Sequence, residues 1–259
     1  MTGLKDLVLY NVAEDFGRPV LGALTTLTRL DASDIYGVYA GDLPDSLKRL
    51  RIEDPYQQCS FTMLDDDDKY GRYSIRLAIL TRLERLCLRN MVVDDVDGDR
   101  GGSRSLTALT ALTKLTLDDV HGIDTSFVRG LSSLRRLNVV VAAAYDDDDD
   151  PIVVPSLPIE APLESLKLRM SRELGVVTLP VSIGQGRDLD LARFAPTLTR
   201  LKLGSMELVE VGDLALLTGL KELCLVECWS DPDSIADVVR HLPLLKCVPE
   251  TARHDEPYL

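Results

Sequence analysis

Three histidines, five cysteines and several aspartate clusters are the side chains whose type and spacing could do chemistry in this chain. His121, His241 and His254 stand far apart, and none has a second ligand at the short spacing a zinc site uses. Cys224 and Cys228 are four residues apart, but no second pair accompanies them to complete a tetrahedral site. The run Asp94-Asp95-Val96-Asp97-Gly98-Asp99 alternates carboxylates as a calcium loop does. Such a loop opened at Asp95 needs glycine at its sixth position and glutamate at its twelfth, where the chain carries Arg100 and Leu106. Gly184-Gln185-Gly186 and Gly101-Gly102 lack the strand, helix and spacing of a phosphate-binding turn, and no nucleophile elbow or kinase signature occurs. The expectation is no enzyme, no metal and no cofactor.

Charge is the chemistry that remains. The formal net charge of -13 argues against generic nucleic-acid binding, because a phosphate backbone rewards clustered lysine and arginine. Asp65–Asp68 and Asp146–Asp150 supply nine of the negative charges, so the acidity is local. Runs of this kind repel themselves and cannot bury, which makes them solvated loops; the sharper alternative is that they engage a basic partner. The odd cysteine count (Cys59, Cys87, Cys224, Cys228 and Cys247) has no disulfide-framework spacing and favours a reducing compartment. Met1 to Asp6 contains no basic segment leading into an apolar stretch, and no apolar run is long enough to span a bilayer. An intracellular protein, cytoplasmic or nuclear, with no membrane partner is expected.

The elements that would position these charges are repeats. Hydrophobic residues make up 45% of the chain and aromatics only 5%, so the interior must be filled by many similar aliphatic side chains. The pattern L-x-x-L-x-L, with an aliphatic residue tolerated last, begins at Leu4, Leu27, Leu47, Leu83, Leu112, Leu134, Leu163, Leu198 and Leu220, with a degenerate tenth copy at Leu244, Cys247 and Pro249. Within each Leu-x-Leu the period of two turns both leucines to one side of a strand and the residue between them to the other. No single copy can hide its own apolar side, so the copies must stack in parallel. Segments leading into the strands, such as Leu214-Ala215-Leu216-Leu217, form short helices or turns. Asp231 to Leu245 reads as a helix, with Asp231 or Asp233 as its cap and Ile235, Val238, Val239 and Leu242 on one face.

This spacing, sustained over the whole chain, resembles the leucine-rich repeat family. The resemblance implies an α/β fold: a curved horseshoe solenoid with a parallel concave sheet and short helices or turns on the convex side. It also implies a single domain over 1–259 of about nine to ten repeats, with loop insertions near 54–78 and 142–160. Many family members carry asparagine three residues after the last strand leucine; here that position holds Val12, Ile35, Met91, Val120, Ala142, Met206 and Cys228. An apolar or cysteine residue there is similar to the cysteine-containing subclass found in receptor subunits of some ubiquitin ligases, which only Cys228 matches literally. Leu43-Pro44 is similar to the Leu-Pro opening of certain repeat variants. The array starts at Leu4 with little room for a cap, so the expectation is a longer protein or an end covered by association.

In that register, the residues flanking the second leucine project from the concave face. The first column is Asp6, Arg29, Arg49, Arg85, Lys114, Arg136, Ser165, Arg200 and Glu222. The second is Val8, Asp31, Arg51, Cys87, Thr116, Asn138, Lys167, Lys202 and Cys224. The candidate protein-binding residues are Arg29, Arg49, Arg51, Arg85, Lys114, Arg136, Lys167, Arg200 and Lys202, a basic stripe in an acidic protein that suits a partner protein with an acidic segment. Two other readings stand: a solvated face serving solubility, and masking by an aspartate loop of the chain itself. The expected function is a protein-protein interaction scaffold. The alternative is the substrate-recognition part of a ubiquitin ligase lacking its recruiting module.

Overall fold

The computed structural model describes residues 3–12, 21–35, 43–53, 73–74, 77, 80–94, 108–121, 128, 130–141, 157, 160–170, 180–183, 189–228 and 230–246. They belong to two compact units. The first comprises Met1–Ala142 with Pro155–Pro162, and the second comprises Ala143–Val154 with Leu163–Leu259.

In the first unit, strands β1 (Asp6–Val12), β2 (Arg29–Ile35), β3 (Arg49–Glu53), β5 (Arg85–Asp94), β6 (Lys114–His121) and β7 (Arg136–Val141) lie side by side in that order, all parallel. The short β4 (Tyr73–Ser74) pairs with the far end of β5. The observed register is the one the repeats imply. Leu7, Leu30, Leu50, Leu86, Leu115 and Leu137 pair in series, as do Leu9, Ala32, Ile52, Leu88, Leu117 and Val139. From β2 to β7 these two rows are at most 3% exposed, whereas Leu7 and Leu9 of the edge strand are only half-buried. Each fully buried leucine contributes roughly 2–3 kcal/mol, and only a neighbouring copy completes that burial.

The second unit repeats the plan with β8 (Ser165–Met170), β10 (Arg200–Gly204) and β12 (Glu222–Val226), paired in parallel through Leu166, Leu201 and Leu223 and through Leu168, Leu203 and Leu225. The extra sequence between β8 and β10 contains β9 (Pro180–Ser182), which pairs in parallel with β11 (Glu207–Glu210).

Leucines three apart build the segments between strands. Leu24, Leu27, Leu80, Leu83, Leu112, Leu131, Leu134, Leu217, Leu220 and Leu245 each donate a backbone N–H to the carbonyl three residues earlier, that residue being an apolar one in the same row. These are 3-10 turns, regular at Leu21–Ala23, Ala192–Phe194 and Gly212–Leu216, and their i,i+3 side chains eclipse onto one buried edge. The expected helix forms as α1 (Pro232–Arg240), with Asp231 accepting N–H bonds from Asp233 and Ser234 and Pro232 in the first turn. Its Val238, with Leu242 just beyond, is buried where the helix meets the Gly212–Leu216 turn.

The tenth copy is shifted by one residue from the Leu244 expectation. The Lys246 N–H donates to the Lys221 carbonyl in the manner of the preceding repeats, which makes Leu245 the first leucine position and leaves Leu244 53% exposed.

Two features recur where strands start and end. At strand starts, two successive N–H groups share one carbonyl of the preceding copy. Thr28 and Arg29 donate to Lys5, Lys48 and Arg49 to Thr28, Glu84 and Arg85 to Lys48, Thr113 and Lys114 to Glu84, and Arg135 and Arg136 to Thr113. Hydroxyls reinforce the same junction: Thr26 Oγ1 reaches the Leu4 carbonyl at 2.9 Å, Ser46 Oγ that of Leu27 at 2.7 Å, Thr113 Oγ1 that of Glu84 at 3.0 Å and Thr197 Oγ1 that of Leu163 at 2.9 Å. At strand ends, Asn90, Ser205 and Glu227, each two residues after the last leucine, adopt positive φ of 51°, 54° and 55°. That twist turns the next residue inward, so Met206 is buried and Cys228 half-buried at the position where an asparagine ladder was absent.

Candidate functional site

Strand alternation places the first-column residues on the open face of each unit's sheet, opposite the leucines. In β3 the sequence Arg49-Leu50-Arg51-Ile52 runs exposed, buried, exposed, buried. Arg29, Arg49, Arg85, Lys114 and Arg136 are all exposed, and their Cα atoms pair strand to strand in unbroken register. With parallel strands about 4.8 Å apart, the row from Arg29 to Arg136 spans roughly 19 Å.

Two further rows on the same face change what those cations can do. The second row is Val8, Asp31, Arg51, Cys87, Thr116 and Asn138, and the third is Tyr10, Ser33, Glu53, Arg89, Asp118 and Val140. Asp31 lies 3.7 Å from the Arg29 guanidinium and 3.7 Å from that of Arg51. Arg51 also donates to Glu53, which faces Arg89 at 3.8 Å; Arg89 then meets Asp118 at 3.6 Å. A chain of alternating charge therefore runs from β2 to β6. The hydrogen bond to Glu53 is the main cause that raises the Arg51 pKa above its ordinary value.

The nine sequence-derived residues consequently fall into different situations. Arg29 and Arg51 are engaged within the face. Arg49, Arg85, Lys114 and Arg136 form no ion pair with any described residue. Lys167, Arg200 and Lys202 belong to the second unit, where Lys167 pairs in register with Lys202, and Arg200 sits between Ser165 and Glu222. There Gly204 leaves room for the Arg169 side chain, whose Cγ would lie 3.2 Å from a Cβ at that position; Arg169 reaches across to Glu227 at 3.9 Å.

Sequence reasoning missed the third row, although a step of two residues beyond the second column was enough to locate Glu53, Arg89 and Asp118. It placed Val8 in the second column without giving it a role and passed over Tyr10; the two are 47% and 67% exposed on the same face. Cys87 sits among Arg51, Arg89 and Lys114, yet its thiol pKa is raised because burial outweighs the arginines that pull it down. Cys228 is raised by burial as well.

Among the described residues, no group of three or more histidine, cysteine, aspartate or glutamate side chains is placed to hold a metal ion. Of the Asp94–Asp99 cluster only Asp94 is described. Asp65–Asp68, Asp146–Asp150, Cys59, Cys247, His254 and both glycine pairs lie outside the described residues. No described helix is long and apolar enough to cross a membrane.

No family model matches the sequence, and no curated protein matches it. The solved structure of a leucine-rich repeat protein of Leptospira interrogans is similar over 94% of this chain and 89% of that one, at 12% identity and a TM-score of 0.29. The parallel, in-register repeats themselves fit a leucine-rich repeat architecture.

Proposed function

We propose that the chain is a protein-interaction scaffold and that the open sheet face of its first unit takes an acidic segment of another protein. The observation that carries this reading is the separation of charge on that face. The second and third rows neutralise one another through Asp31, Arg51, Glu53, Arg89 and Asp118, while Arg49, Arg85, Lys114 and Arg136 remain in register without a carboxylate partner among the described residues. A solvated face evolved only for solubility has no need to sort its charges into a free row and a satisfied block. Arginine adds geometry to charge, because its planar fork binds a carboxylate through two parallel hydrogen bonds.

The test is a titration of a fluorescent oligoglutamate peptide by anisotropy at low and high salt. The expected result is binding that weakens with salt and disappears in R49E/R85E/K114E/R136E, while R200E/K202E, in the second unit, retains it. Equal binding by the two variants would overturn the assignment of this face.

A further inference from the structure

Resting on that reading, we infer that the partner segment is an acidic peptide anchored by an apolar residue, seated on Val8 and Tyr10 and laid across the strands towards Arg136. Among the described residues, the large apolar side chains that are exposed are Val8, Tyr10, Val209, Leu216 and Leu244, and only the first two belong to the first unit. They alternate on β1, and their register with Asp31 and Ser33 puts them on the face that bears the cationic row. On β2, β3 and β5 the corresponding positions are polar apart from Cys87 and are tied largely into the ion-pair chain. The open face is thus polarised along its length: β1 presents Val8 and Tyr10 beside the exposed Asp6, and β3 to β7 are net cationic.

The spacing defines the ligand. From β1 to β3 is two strand intervals, about 10 Å, and from β3 to β7 is three more, about 14 Å. An extended peptide advances about 3.3 Å per residue, so an apolar side chain roughly three residues from the first of four or five carboxylates matches both distances. The stretch between them passes over Arg29, already held by Asp31, and needs no charge of its own. Tyr10 offers a broad apolar ring with a polar tip, a side chain that binds apolar groups while remaining hydrated when free.

The experiment compares four fluorescent peptides by anisotropy: leucine-glycine-glycine followed by five glutamates, the same residues in reverse order, the first peptide with glycine for leucine, and the first with glutamine for every glutamate. The expected result is that the better of the two anchored peptides binds about tenfold tighter than the glycine version, a difference of about 1.4 kcal/mol. V8S/Y10S should abolish that advantage and leave the affinity for the glycine version unchanged. Both positions are exposed, and circular dichroism melts check that the variant is folded. If anchored and anchorless peptides bind the native chain equally, the inference fails while the cationic row stands; if no glutamate peptide binds, both fail. Sedimentation of the same samples provides the remaining outcome: self-association released by V8S/Y10S with peptide affinities unaltered would assign the apolar pair to a contact between copies and overturn the inference.

Discussion

Removing a carboxylate should make the first unit bind an acidic peptide more tightly. Glu53, like Asp31, is a link in the charge chain that holds two arginines at once, Arg51 by a hydrogen bond and Arg89 at 3.8 Å. In E53Q both guanidinium groups lose that formal charge partner, while Arg51 keeps Asp31 and Arg89 keeps Asp118. The side chains of Arg51 and Arg89 are 45% and 35% exposed, so water screens what they gain. E53Q removes a single negative charge four residues, about 13 Å, along the strand from the free row, so each ligand carboxylate over that row loses roughly 0.3 kcal/mol of repulsion at the dielectric of water. Summed over four carboxylates of an oligoglutamate this approaches about 1 kcal/mol, a tightening of up to about fivefold at low ionic strength. It should shrink towards nothing near 1 M salt, where the screening length falls to about 3 Å. Thermal melts should shift little, because exposed ion pairs contribute only about 0–1 kcal/mol each. Anisotropy with oligoglutamate at two salt concentrations measures the effect. If E53Q binds no more tightly than the native chain at low salt while R49E/R85E/K114E/R136E loses binding, the free row and the satisfied block are not electrostatically coupled, and the reasoning fails.

Burial sets the cost of core truncation: Leu115→Ala, at a fully buried site between β5 and β7, should lose about 2–5 kcal/mol in urea denaturation, and Leu9→Ala on the half-buried edge distinctly less. Equal losses would mean that stacking on both sides is not what stabilises a layer. Thr113→Val keeps the shape but forfeits the hydroxyl bond to the Glu84 carbonyl, an expected cost of about 1 kcal/mol by the same measurement. At Asn90, whose φ is 51°, valine should destabilise by about 1–2 kcal/mol whereas glycine should be tolerated. For α1, the bonds from the Ser234 side chain and backbone hold the Asp231 carboxyl below its ordinary value. A depressed folded-state pKa means that its stabilisation is present above the ordinary carboxylate range and is lost as pH falls through the folded value. Protection factors of amides in the first turn of α1, corrected for the pH dependence of intrinsic exchange, should therefore fall on acidification in the native chain and be less sensitive to that change in D231A. Cys87 and Cys228, both raised by burial, should alkylate slowly at neutral pH and faster as pH rises; mass spectrometry of iodoacetamide-treated protein reads this directly.

The local pattern was sufficient for strands, for register and for the two sides of each sheet. Leu-x-Leu decides which way a side chain points within one strand, and repetition of the motif decides what it stacks upon, so the pairing of Leu30, Leu50, Leu86 and Leu115 was legible without coordinates. The placement of Arg49, Arg85, Lys114 and Arg136 in one row follows from the same arithmetic. The turns were half legible: leucines at intervals of three mark them, but a period of three is too close to 3.6 for sequence to separate a 3-10 turn from an α-helix over so few residues.

Which cations are free was decided only by tertiary structure. Arg51 and Arg49 share a strand and a charge, yet Arg51 finds Asp31 on one neighbouring segment and Glu53 two residues along its own strand, and Arg49 finds no described carboxylate. Asp31 and Arg51 are twenty residues apart, Glu53 and Arg89 thirty-six, so no local rule joins them. Those pairs depend on side-chain reach across a sheet spacing of about 4.8 Å, not on separation along the chain. Positive φ at Ser205 and Glu227 belongs to the same category, since neither residue type announces it. The left-handed turn directs Met206 to a buried and Cys228 to a half-buried place, a gain that exists only once the copies are stacked.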